Sequence, residues 1–223
     1  MKRVLLAAEA GLPDEVEQVA FDWLKRYPDS LAPVPADYRA ALPHEPDINL
    51  NLRVYLAHMY LHLASDTFNW PEDHRAARVQ ELMAPLLEGK QYMSVEEADA
   101  RVWFASRCDS AASMYKRALD EERRKGKLDE KTLLAHRNQS EVKAAEQRAQ
   151  LYESVAAALK NALANPDEYE RMVSCPIPQH MIAAEIESVV REALDCRHVA
   201  DEASEQLSSE GGGSREPLVE STE

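Results

Sequence analysis

Glycine is scarce in this sequence. Of its six glycines, Gly211, Gly212 and Gly213 form one run, leaving Gly11, Gly89 and Gly126 for the rest of a 223-residue chain. Few positions can therefore take positive φ without strain, which disfavours tight hairpins and phosphate-cradling loops. Neither GxGxxG nor GxxxxGKS/T occurs, so the common nucleotide-binding fingerprints are missing. Cysteine is also sparse. Cys108, Cys175 and Cys196 are an odd number with no CxxC, which argues against a disulfide framework and fits a reducing compartment. Long apolar runs are missing too. Val4-Leu5-Leu6-Ala7-Ala8 is too short for a signal-peptide core, and nothing approaches the roughly 18 apolar residues that span a bilayer. The expectation is a cytoplasmic protein with no membrane contact.

No segment is a basic patch. The net charge of −14 is uneven: residues 1–94 carry 9 basic and 14 acidic side chains, residues 95–165 carry 13 and 12, and residues 166–223 carry 4 and 14. Direct binding to nucleic acid is therefore not expected, because such binding rests on neutralising phosphates. The acidic C-terminal end could mimic nucleic acid towards a basic partner; a solvated tail is the simpler reading.

What the sequence does have is helix punctuation. Pro13 with Asp14 and Glu15 makes a first turn, followed at helical spacing by Val16, Val19, Ala20, Trp23, Leu24 and Tyr27. Residues 28–46 hold Pro28, Pro33, Pro35, Pro43 and Pro46 and read as an irregular connector. Asp47 caps a helix over 48–65 that is apolar around most of its circumference. Another starts at Pro71, ends before Gly89 and breaks or kinks at Pro85. Ser94 with Glu97 is a capping box opening a helix that runs to Lys125 and ends at Gly126. Asp129 and Glu130 open a helix to about Ala164. A shorter helix follows Asn165-Pro166, and a last one covers 178–207.

Heptad spacing marks three of these. In 129–165 it joins Val142, Ala145, Ala149, Tyr152, Ala156, Leu159 and Leu163; in 95–125 it joins Ala98, Ala105, Cys108, Ala112, Tyr115 and Leu119, with Arg101 as the exception. In the last helix it joins Ile182, Ile186, Val189, Ala193, Cys196, Ala200, Ala203 and Leu207. The predicted fold is all-α: a multi-helix bundle with a long antiparallel coiled-coil-like hairpin and a disordered acidic C-terminal tail. Its parts are an N-terminal helical subdomain (1–94), the hairpin (95–165), C-terminal helices packing on the hairpin or on a partner (166–207), and the tail (208–223).

Chemistry is harder to find. His58 and His62, four apart on a helix, lie on one face and could share a metal ion, with Asp66, Glu72 and His74 close in sequence. The glutamate of HExxH is missing, and two histidines on a partly polar seam is the simpler reading. Cys175, His180, Asp195, Cys196 and His198 match no established zinc spacing. No GxSxG occurs, and no cofactor is implied.

The reading that fits best is a non-enzymatic helical interaction protein, such as a scaffold, adaptor or assembly component. It would act through protein partners and as a homo-oligomer, with Ile182, Ile186, Val189, Ala193 and Leu207 as the interface. The alternatives are a metal-binding bundle built on His58 and His62, possible as an enzyme, and an acidic inhibitor or nucleic-acid mimic.

Overall fold

The structure, a computed structural model, describes residues 2–26, 48–63, 68–173 and 176–211. These residues are almost entirely helical, with no strand among them. The proline-rich connector and residues 212–223 of the tail lie outside the described residues.

Helix α1 (Lys2–Glu9) and helix α2 (Pro13–Arg26) form a hairpin whose turn is set by Gly11 at φ +67. The apolar run Val4–Ala8 lies in α1, which buries Val4 and Ala7. Along α2, Val16, Ala20 and Leu24 are buried, the inward stripe expected of an i, i+4, i+8 pattern.

Helix α3 (Ile48–His58) does not continue as an α-helix to residue 65. It widens into a π turn over Met59–Leu63. Met59 and Tyr60 are neighbours in sequence, and both are buried. Helix α4 (Glu72–Met83) ends where Pro85 cannot donate to the α ladder, and the chain tightens into a 3-10 turn over Ala84–Leu87.

Helix α5 (Val95–Ala105) begins at the expected cap, where the Glu97 N–H donates to Ser94 Oγ at 3.2 Å. The expected single helix over 95–125 is instead two. Ser106 and Arg107 form a turn, and helix α6 (Cys108–Arg124) starts afresh. The cause is local: the Ser106 hydroxyl donates to the Trp103 carbonyl at 2.7 Å, and the Arg107 N–H bonds to Phe104 O three residues back. Both contacts compete with the regular ladder.

Helix α6 ends at a left-handed turn with Gly126 at φ +71, where Gly126 N–H meets Arg123 O and Lys127 N–H meets Glu122 O. Asp129 then caps helix α7 (Glu130–Ala164) by accepting from the Thr132 N–H at 2.9 Å. Helices α6 and α7 run antiparallel, joined by Arg148–Asp109 at 2.6 Å, Arg137–Asp120 at 3.7 Å, Lys116–Glu141 and Arg123–Glu130. Where one helix over 95–125 was expected beside 129–165, the structure has α5 and α6, of which α6 is the antiparallel neighbour of α7.

At 35 residues and roughly 1.5 Å rise per residue, α7 is the spine of the molecule. Helix α8 (Pro166–Met172) turns the chain back. Its Tyr169 hydroxyl donates to Met93 O and accepts from Ile177 N–H, both at 2.9 Å. Helix α9 (Gln179–Gly211) returns antiparallel along α7, four residues beyond the expected end at 207. Arg197 on α9 forks onto Glu153 of α7 with two contacts of 2.7 Å. One apolar core runs through the bundle, from Val4 in α1 to Cys196 in α9.

Candidate functional site

A cavity of about 790 Å³ opens between α4, α6 and α7. Its floor is small: Ala76 and Ala77 from α4, Ala111 and Ala112 from α6, and Ala144 from α7. Methyl-sized side chains at this three-helix junction keep the helix backbones close to the open surface. The rim is polar, with Asp73, Gln80, Gln139, Lys143 and Glu146. Gln147 bridges from α7 to Gln80 of α4 at 2.8 Å and fixes the groove's width there. Beside this bridge, Gln147 Oε1 is buried without a hydrogen-bonding partner, and so is His136 Nδ1 on the groove wall. Buried polar atoms are ordinarily satisfied. Of the two, His136 lines the groove, and its Nδ1 marks a place where a bound group could supply the missing bond.

A second cluster ties α2 to the body. Glu17 Oε1 accepts from the Tyr60 hydroxyl at 2.5 Å and pairs with His74 Nε2 at 2.6 Å, while Arg78 approaches Oε2 at 3.5 Å. Burial raises the Glu17 pKa, but the hydrogen bonds from Tyr60 and His74 and the charges of His74 and Arg78 outweigh it. The carboxyl ends below its ordinary range. Burial and the Glu17 carboxylate push the Tyr60 hydroxyl in the opposite direction, so it stays a proton donor. Trp70 stacks on Tyr60 at 4.8 Å, and Arg78 lies over the Phe21 ring at 4.4 Å. The carboxylate is saturated with donors, and the cluster acts as a clasp.

No family model matches this chain, and neither a curated protein nor a solved structure is similar enough to match it.

The structure scatters several of the residues singled out from sequence. His58 and His62 are exposed, with ring centroids 4.9 Å apart on the solvent side of the π turn. Partial burial, then His58 and Arg107, lower the pKa of His62. His74 is turned to Glu17, Glu72 to Arg117 at 2.7 Å, and Asp66 lies outside the described residues. Among the described residues no group of three or more His, Cys, Asp or Glu side chains is arranged to hold a metal.

On α9, His198 pairs with Glu202 at 3.2 Å, and Cys196 is buried, accepting from Arg148 Nε at 2.9 Å. Burial raises the Cys196 pKa against the pull of Arg148, and burial pushes the Cys108 thiol up to about 12. Neither is a ready thiolate nucleophile at neutral pH. Cys175 lies outside the described residues.

Ile182, Val189 and Ala193 are buried in the seam between α9 and α7, and Ile186 is half-buried at its edge. The Leu207 side chain lies outside the description. The clasp and the groove had no signal in the sequence, since the hydrogen bonds that tie them join distant residues (Tyr60 and Glu17, 43 apart; His74 and Glu17, 57; Gln147 and Gln80, 67).

Proposed function

We propose that this chain is a non-enzymatic helical interaction protein that holds a helix of a partner protein in the groove between α4, α6 and α7. The groove itself carries the reading: about 790 Å³, open, floored by alanine and rimmed by polar groups of both signs. An alanine floor lets a fourth helix approach to the short end of the usual 8–10 Å interaxial range. The rim supplies hydrogen bonds and charges that fix its register, the arrangement seen when an amphipathic helix lies in a groove. His136 Nδ1, on the groove wall, would be satisfied by a polar side chain on that helix.

The inner face of α9 is already covered by α7 through Ile182, Val189 and Ala193. Self-association, expected from the heptads, would then use another surface, and the groove offers one. Ala77 is exposed on the groove floor, so Ala77→Trp fills the groove without entering the core. The variant should keep the unfolding transition of the wild type within about 0.5 kcal/mol. It should also lose at least tenfold in affinity for a partner captured from the native host. Equal affinity for wild type and variant would remove the groove from the account. Sedimentation velocity on the two proteins tells whether that partner is a second copy of the chain.

A further inference from the structure

The π turn carries a feature that the groove does not use. His58 is the last residue of α3 and His62 is the fourth of the five π residues. Both imidazoles face solvent, and their centroids are 4.9 Å apart with planes inclined at 50°. Two imidazoles bound cis to one ion have a narrow range of separations. With metal–nitrogen bonds of about 2.0–2.1 Å, the ion sits roughly 3.2 Å from each ring centre, and angles of about 90–109° then place the centres about 4.5–5.2 Å apart. The observed 4.9 Å falls inside that window with the backbone as it stands. Both rings are exposed, so each is free to turn about its Cβ–Cγ bond towards a shared ion.

We propose that His58 and His62 form a two-histidine chelate for one divalent cation of the imidazole-seeking class, Cu²⁺, Ni²⁺ or Zn²⁺, on the outer face of the π turn. Mg²⁺ and Ca²⁺ are excluded by their demand for oxygen ligands. Among the described residues no third protein ligand joins the pair. The nearby Arg107 guanidinium opposes the cation and tempers its affinity. The bridge spans the junction where α-helix becomes π turn. That same turn carries Tyr60, whose hydroxyl holds Glu17 and with it α2. A bound ion thus fixes the backbone that aims Tyr60 into the clasp.

Isothermal titration of the full chain with NiCl₂ tests this. One ion should bind per chain, MgCl₂ should give no heat, and His58→Ala and His62→Ala should each weaken binding at least tenfold. His180→Ala and His198→Ala should bind as the wild type does. Because both rings are exposed, the two key variants should keep the wild-type helical circular dichroism without metal. The ion should raise the unfolding temperature of the wild type but not that of His62→Ala. Substoichiometric Cu²⁺, followed by NMR on the wild type alone, should broaden the His58 and His62 ring signals before those of the other histidines. The proposal is overturned if the wild type gives no heat at millimolar NiCl₂, if either key variant binds as tightly as the wild type, or if copper broadens other histidines first.

Discussion

Arg101 shows what a single residue does for this fold. It interrupts the heptad of α5 with a charge, yet its side chain is fully buried. Its guanidinium donates to Glu97 Oε1 at 2.9 Å, to Ser154 Oγ at 2.9 Å, to Glu88 O at 2.8 Å and to Leu86 O. The two carbonyls belong to the end of the 3-10 turn after α4, so one side chain pins α4 and α5 to the α7 spine. Arg101→Met keeps the bulk but strands the Glu97 carboxylate and the two carbonyls. Removing one partner of a buried pair costs about 3 kcal/mol or more, and urea unfolding should show a loss of that order. Lys90, 2.9 Å from Glu97, is half-exposed and cannot replace a buried cation.

Glu17 gives a prediction in pH at the same scale. Its folded pKa lies below the ordinary carboxylate value, so the clasp stabilises the fold fully above that ordinary value. The contribution is lost as pH falls through the lower, folded value. Glu17→Gln should therefore be less stable than the wild type at pH 7, and the gap should close below about pH 4. Thermal unfolding of both proteins across pH 3–7 measures it. A gap that stays constant over that range would mean the clasp does not depend on the carboxylate charge.

At the scale of elements, most helices were legible because their ends are written locally. Pro13, Ser94, Asp129 and Pro166 each start the helix they were expected to start. Gly126 ends α6 in the left-handed conformation that glycine takes without strain. What was not legible was non-local or weakly coded. The break at Ser106–Arg107 leaves the heptad spacing intact on both sides, so periodicity alone ran α5 into α6. The π turn adds a widened loop of backbone to a stretch whose apolar pattern reads as helix in either geometry. Seams show the same limit. The spacing in α9 announced an apolar face but not its partner, which is α7 of the same chain. Val189→Glu places a carboxylate in that seam, at a cost of several kcal/mol if it stays buried. Equilibrium unfolding should show this as lost stability, with no folded intermediate in which α9 has been released. A stable, folded variant of reduced mass in solution would instead place the seam between chains.

At the scale of the whole molecule, the spine α7 sorts the other helices: α9 along one side, α5 and α6 along another, and α4 with the clasped α2 beyond them. The groove is lined by α4, α6 and α7 together, so it exists only once the bundle is assembled, and no stretch of sequence announces it. Helix-held partner binding there is the central claim, and a photo-crosslinking residue tests it most directly. Placed at Gln139 on the groove rim, in the full chain in its native host, the crosslinker should give one discrete adduct that disappears when Ala77→Trp is added. Placed at Arg191, exposed on the outer face of α9, it should give no such adduct. Adducts at Arg191 with none at Gln139, or a Gln139 adduct indifferent to Ala77→Trp, would contradict the account.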